Sequence, residues 1–362
     1  MAATLAKGLG YHPMALNVAR GALARATASP ADTATRILAR VQQGSGLGGL
    51  PGLRPDEHER EVEAAFAVSY GYLAELPEGE QCQRQFRSLG VFAPASSFDT
   101  AAAGAVLGME TVDAESLLEE LCALNLLDAE RGPIPRFSQH ALLRSYCRAL
   151  LTAAGELTDA EVRHIAWYAE LATRALAAGT WFSLAPDTEQ LAHAIERGVI
   201  LHLARAVTLL QATGDLFLNQ GRSAQHLALA RAFRDRAVAT VNPEIEALGH
   251  GLLGNAALRA AGALAGEARQ GRLEEAVAAY REALRFHTAE AAPLAYAMTQ
   301  NNLGATLGDL AGSLAGEARQ AGLEEAVAAY RQALRFYTAE AAPMQHETVT
   351  DNLRLALGKL EE

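Results

Sequence analysis

Lysine is nearly absent: Lys7 and Lys359 are the only two in 362 residues, so arginine carries almost all of the positive charge. With heavy alanine and glycine usage, this points to a GC-rich bacterial coding sequence. Cations are also outnumbered, 31 Lys and Arg against 42 Asp and Glu for a net charge of -11. That balance disfavours a sequence-independent grip on nucleic acid, which draws on clustered basic side chains. Cysteine is scarce. Cys82, Cys122 and Cys147 are odd in number, widely spaced and never in a CxxC, so neither a disulfide framework nor a zinc site is implied and a reducing cytoplasm fits. The longest candidate membrane stretch, Val199 to Leu218, is interrupted by His202, Arg205, Gln211 and Asp215 and reads as helices buried on one face. The apolar run after Pro13 is too short for a signal sequence, so the N-terminus reads as folded protein.

What is there is a repeat. Residues 263–293 return almost unchanged at 313–343, fifty positions later, with Ala263/Ser313, Gly271/Ala321, Arg272/Gly322, Glu282/Gln332 and His287/Tyr337 as the differences. Self-similarity at that period arises when one helical unit stacks on copies of itself, and such solenoids usually hold another molecule. Leu273, Ala276, Val277, Tyr280, Ala283 and Leu284, and their counterparts fifty residues on, fall at helical spacing with one apolar face. Pro243, Pro293 and Pro343 recur at the same period, each placed to begin a helix. Each unit is therefore predicted to be a helix pair, and the last stops after its first helix. Leu253-Gly254 and Leu303-Gly304, followed by Ala326, Tyr330 and Ala333, resemble the tetratricopeptide repeat, with about ten residues including LAGEARQ separating the expected ends of the two helices.

The composition, 50% hydrophobic and 20% charged, suits a soluble globular chain of about two or three domains. Helical patterns run from Ala2 to Gln43, and the breaker-rich GSGLGGLPGLRP follows as the clearest boundary. Between Pro55 and Leu151 the pattern predicts two helices, a short strand at Leu89 to Phe92 and helices at Thr100 to Leu107 and Ala114 to Leu124. Strand-like pieces at Leu126 to Asp128 and Arg136 to Ser138 follow, then a helix from about Gln139. Helices with a small hairpin describe a winged-helix module. The predicted fold is thus all-α: a helical subdomain at 1–52, a winged-helix domain with a small β-hairpin at 53–152, a divergent helical region at 153–242, and tetratricopeptide-like helix pairs forming an α-solenoid at 243–362.

GYHPMALNVARGAL from Gly10, VSYGYLAELPEGEQCQRQFRSLGVF from Val68 and LLEELCALNLLDAERGPIPRFSQHALLRSYC from Leu117 resemble, in that order, the C-terminal half of an NB-ARC or STAND regulatory ATPase. The resemblance implies a helical subdomain, a winged helix and then a repeat sensor. It places Pro13 against the adenine of ADP and His140 at its phosphates, although Gln139 and Ala141 stand where the family motif has Met and Asp. No GxxxxGK followed by Ser or Thr occurs, so this chain offers no backbone cradle and lysine for a triphosphate. No cofactor is expected in this chain, while a longer parent could hold ADP or ATP.

Other constellations carry less. Gly44, Gly46 and Gly49 spell GxGxxG, but a helical segment precedes them and LPGLRP follows, which makes them a linker rather than a dinucleotide fingerprint. His58 and Glu59 begin an HExxH that Val62 breaks. Glu189, His193 and Glu196 share a helical face but offer too few metal ligands. No nucleophile sits in an elbow motif, so no catalytic residue and no enzyme activity are expected. Glu115, Glu119 and Glu120 on the candidate recognition helix would oppose DNA phosphates.

The repeat resemblance implies instead that the first helix of each pair lines a groove. An Asn before the Leu-Gly pair would then bond a peptide backbone, at Asn302 and its neighbour Asn301, with Asn352 in the equivalent place. A solvated polar residue at those positions is the plainer alternative. The expected function is a non-catalytic regulatory and protein-binding portion of a STAND protein; a tetratricopeptide scaffold with a degenerate N-terminal domain is the alternative, and a DNA-binding winged-helix regulator comes third.

Overall fold

The computed structural model describes residues 2–9, 11, 13–25, 29–43, 66–67, 70–71, 73–74 and 78–361. The GxGxxG at Gly44, Gly46 and Gly49, the His58-Glu59 pair with Val62, and the expected boundary at 52/53 lie outside them. Among the described residues the chain is all-α apart from one small sheet. It divides into two compact units, Met1–Leu171 with Glu189–Ala194 and Ala172–Thr188 with Ile195–Glu362, so residues 153–171 join the N-terminal unit.

In the first unit, α1 (Ala2–Gly8), α2 (Pro13–Arg25) and α3 (Pro30–Gln43) pack together around Leu5, Val18 and Ile37. Next come α4 (Gly79–Ser88), a 3-10 turn (Leu89–Val91), β1 (Ser97–Asp99), α5 (Thr100–Leu107), α6 (Thr111–Ala123), β2 (Asp128–Glu130), β3 (Arg136–Ser138), α7 (Ala141–Ala153) and α8 (Leu157–Ala177), whose end from Ala172 belongs to the second unit. Helix, strand, two helices and a hairpin, with β3 central and antiparallel to both neighbours, is the connectivity of a winged helix. Strand alternation sends Phe98 and Phe137 into the core, where Phe98 also stacks on Phe92 with ring centres 3.9 Å apart. Asp99 ends β1 and starts α5, its Oδ1 accepting the Ala102 N–H at 2.7 Å.

One expected strand is a turn. Leu89 to Phe92 is apolar because it lies under α7, not because it pairs: a Cβ on Gly90 would come within 2.8 Å of the Arg148 backbone nitrogen. Short apolar runs do not distinguish a strand from a buried helix end. The hairpin instead draws its third strand from Ser97–Asp99.

Two devices fasten this unit. Gly21 lets α2 touch the turn after α6, since a Cβ there would sit 2.3 Å from the Leu124 carbonyl oxygen. Asn125, in the left-handed region at φ 56, donates to the Asn17 carbonyl at 3.0 Å. The fully buried Gln190 accepts from the Ala93 N–H at 2.9 Å and from His164 Nε2 at 3.0 Å, and donates to Ser96 Oγ at 2.7 Å. Every polar atom of that amide is used, as burial requires.

The second unit contains a 3-10 turn (Trp181–Asp187), most of α9 (Thr188–Leu201), then α10 (Leu203–Asn219), α11 (Ser223–Val238), α12 (Pro243–Gly262), α13 (Gly266–Ala283), α14 (Pro293–Ala311), α15 (Gly316–Leu334) and α16 (Pro343–Glu361). From α11 onward each helix packs on the next, giving the solenoid. Pro243, Pro293 and Pro343 each open a helix, and Asn242 caps α12 through its Oδ1. The LAGEARQ segments are not long links. Gly266 and Gly316 adopt left-handed φ of 56° and 58° and start the second helices there, so only Ala263–Ala265 and Gly312–Ala315 join the pairs.

The pairs close through glycine. A Cβ on Gly254 would meet the Tyr280 ring at 2.5 Å, and one on Gly304 would meet Tyr330 at 2.9 Å. Second helices are joined by arginine–glutamate pairs at a constant spacing: Arg231 forks onto Glu275 through Nε and Nη2 at 2.8 and 2.7 Å, and Arg281 shares its Nη2 between the two Glu325 oxygens at 2.7 and 2.8 Å.

Two outcomes follow for stability. Gly254→Ala and Gly304→Ala force ring and helix apart and should each cost about 1–3 kcal/mol in urea unfolding, the first more than the second. Burial holds His164 and His226 down to about 4, each ring also bonded, to Gln190 and to the Leu210 carbonyl. Because their folded values lie below the unfolded one near 6.5, the unfolded chain binds more protons. Stability is therefore full above about pH 6.5 and falls between there and about pH 4, by roughly 1.4 kcal/mol per pH unit per histidine. Urea midpoints across that range, with His226→Gln removing one share of the slope, check this.

Candidate functional site

The first helices of the pairs, α12, α14 and α16, bring asparagines from three units together. Asn255 Oδ1 accepts from Tyr280 OH at 2.7 Å and from Asn302 Nδ2 at 3.1 Å. Asn301 Nδ2 donates to Asn302 Oδ1 at 3.3 Å, and Asn352 Nδ2 donates to Asn301 Oδ1 at 3.4 Å. The result is an amide ladder across three helices, in which all four asparagines are half-buried. Each amide carries two donor hydrogens and a two-lone-pair acceptor, so every rung keeps unused capacity for a main-chain group laid along it. Tyr280 anchors one end; burial raises its pKa well above the usual phenol value, and the hydroxyl stays a donor.

One helical turn toward the start of α14 lies a cleft of about 610 Å³, lined by Leu294, Met298, Tyr337, Pro343 and Met344. Leu294, Met298 and Met344 are 63%, 47% and 75% exposed. Three large apolar side chains around one solvent-open cleft are an unusual use of surface, whereas scattered ones are ordinary. Burial lifts the Tyr337 hydroxyl pKa.

Of the residues singled out in the sequence, Asn301, Asn302 and Asn352 thus meet in one place, and Asn255 and the cleft went unnoticed. A signal was present. Glu244, Leu294 and Met344 occupy one position of the repeat, as do Leu248, Met298 and Thr348; these are the positions where the units differ.

The residues assigned to ADP by resemblance sit elsewhere. Pro13 is the exposed first residue of α2. His140 is the exposed N-cap of α7, its Nδ1 accepting the Leu142 N–H at 3.3 Å, which leaves Nε2 for any other contact. No described hydrogen bond links the two. On α9, Glu189 and Glu196 are exposed and His193 is half-buried. Among the described residues no group of three or more His, Cys, Asp or Glu is disposed to hold a metal ion, and no helix is long and apolar enough to cross a membrane. The outward face of α6 carries Val112, Asp113, Glu115 and Glu119, all exposed, a surface that repels phosphate.

Cys122, pushed up to about 11 by burial, and the buried Cys147 thiol, raised further still by the same cause, are protonated at neutral pH and poor nucleophiles.

The ladder has a test in stability. Tyr280→Phe deletes a donor and should cost about 0.5–1.5 kcal/mol in urea unfolding, while Asn255→Ala strands the buried hydroxyl and should cost more, up to about 3 kcal/mol. No protein-family model matches the chain, and no curated protein aligns with it significantly.

Proposed function

We propose that this chain is the regulatory and protein-binding portion of an NB-ARC or STAND-type signalling protein, with its solenoid binding a protein segment along α12, α14 and α16. The observation that carries the binding half of the reading is the amide ladder of Asn255, Asn302, Asn301 and Asn352 beside an open apolar cleft. Amides bond any extended main chain, and an apolar cleft supplies the anchoring area that such bonds alone do not. The regulatory half rests on order: a helical bundle and a winged helix come before tetratricopeptide-like pairs, as in that family. Occupancy of the groove would be relayed to a nucleotide-binding half, where ADP or ATP would be held. His140 has one ring nitrogen to contribute to such a half and Pro13 an exposed ring.

The alternative is a scaffold with no switch, favoured by the role of His140 as a helix cap. DNA upstream of the reading frame distinguishes them: a P-loop encoded in frame supports the switch, and its absence leaves the scaffold. For the groove, Asn302→Ala with Asn352→Ala should weaken a bound peptide about tenfold while leaving the circular dichroism spectrum unchanged. Unchanged affinity removes the amides from the site.

A further inference from the structure

The apolar cleft has a chemistry of its own, which narrows the partner if the groove reading above holds. Two thioethers, a leucine, a tyrosine ring and a proline make most of its walls, with Gln345 contributing an amide in addition to the Tyr337 hydroxyl. Methionine packs against apolar groups of varied shape because it is unbranched and polarisable, so the cleft suits one aliphatic or aromatic side chain rather than a polar one.

The segments on either side of the cleft carry more acids than bases, and the nearest preceding arginine, Arg335, lies over Phe336 and bonds to Gln332 at 2.8 Å. No Lys or Arg occurs in residues 286–318 or 336–353, the stretches that contain α14 and the first half of α16. Those stretches carry Glu290, Asp309, Glu317, Glu340, Glu347 and Asp351. Asp309 and Asp351 are engaged by Arg269 at 3.6 Å and Arg354 at 2.6 Å. Glu290, Glu340 and Glu347 are exposed and have no ion-pair partner among the described residues. Glu340 immediately precedes the cleft-lining Ala341, and Glu347 lies one turn beyond Met344.

The preceding unit provides the contrast. At the positions of Leu294, Met344 and Tyr337 it has Glu244, Leu294 and His287. A glutamate and an imidazole there replace an apolar wall, so the later cleft is the specialised one, and the repeat fold tolerates glutamate at that position.

We infer that this cleft takes a single apolar side chain of an extended protein segment whose flanking residues are lysine or arginine. Hydrophobic burial supplies the anchor, and the unpaired glutamates attract the flanks and steer encounter. A second copy of this chain is a poor occupant, since each carries a net charge of -11.

A random peptide library displayed on phage, panned against the intact 362-residue chain, tests this. Enriched peptides should share one Leu, Ile, Met or Phe with Lys or Arg close on either side. Their affinity should fall about tenfold or more in Leu294→Glu, which sets a carboxylate against the anchor and copies Glu244. It should also fall with added salt. Acidic or anchorless peptides that still require Asn302 and Asn352 would overturn the inference and leave the groove standing. No enrichment, or peptides indifferent to Leu294→Glu and to both asparagine variants, overturns both. A dimer in light scattering that Leu294→Glu dissociates would give the cleft to a second copy and sink the inference.

Discussion

The repeat array depends on one close approach, tyrosine ring against glycine backbone. Hydrogen in place of a methyl group at Gly254 and Gly304 lets the rings of Tyr280 and Tyr330 close on the first helix of their own pair. At Gly254 that contact also sets chemistry: it brings the Tyr280 hydroxyl to Asn255, whose amide then receives Asn302 from the next unit. The close packing of the pair and the polar ladder therefore have a common origin. At the third occurrence of the position stands Arg354, 74% exposed along its side chain and paired with Asp351, so α16 presents no such notch.

What was legible in the sequence is what repeats or alternates locally. The fifty-residue period and the helix-opening prolines are read by laying one stretch on the next, and the helix at Thr100–Leu107 and the strand at Arg136–Ser138 rest on patterns within a few residues. The misreadings share a different origin. Leu89 to Phe92 owes its apolarity to α7, which lies far along the chain, and the LAGEARQ segment is helical because Gly266 and Gly316 accept a left-handed conformation that polar composition does not announce. Gln190, almost a hundred residues from Ala93, could not be foreseen as the group that satisfies its N–H.

For the site, the sequence pointed to Asn301, Asn302 and Asn352 through the repeat alignment. It passed over Asn255, which has Ala305 and Leu355 as its equivalents. A ladder formed by unlike positions of successive helices is visible only once helix offsets are known. The cleft is hidden for a related reason: residues 273–280 return unchanged at 323–330, whereas Leu294, Met298 and Met344 stand where the copies differ. Leu294, Met298 and Met344 are exposed in spite of their apolarity, while the conserved-looking Ala276, Tyr280 and Ala283 are buried between helices and record packing.

The central claim is that ligand contact falls on the first helices of the pairs. Hydrogen–deuterium exchange of the intact chain, with and without a bound peptide, tests it most directly. The account predicts added protection over residues 294–302 and 341–352, with α13 and α15 exchanging as before on their outer faces. Protection concentrated on α13 and α15, or confined to residues 1–171, would contradict it.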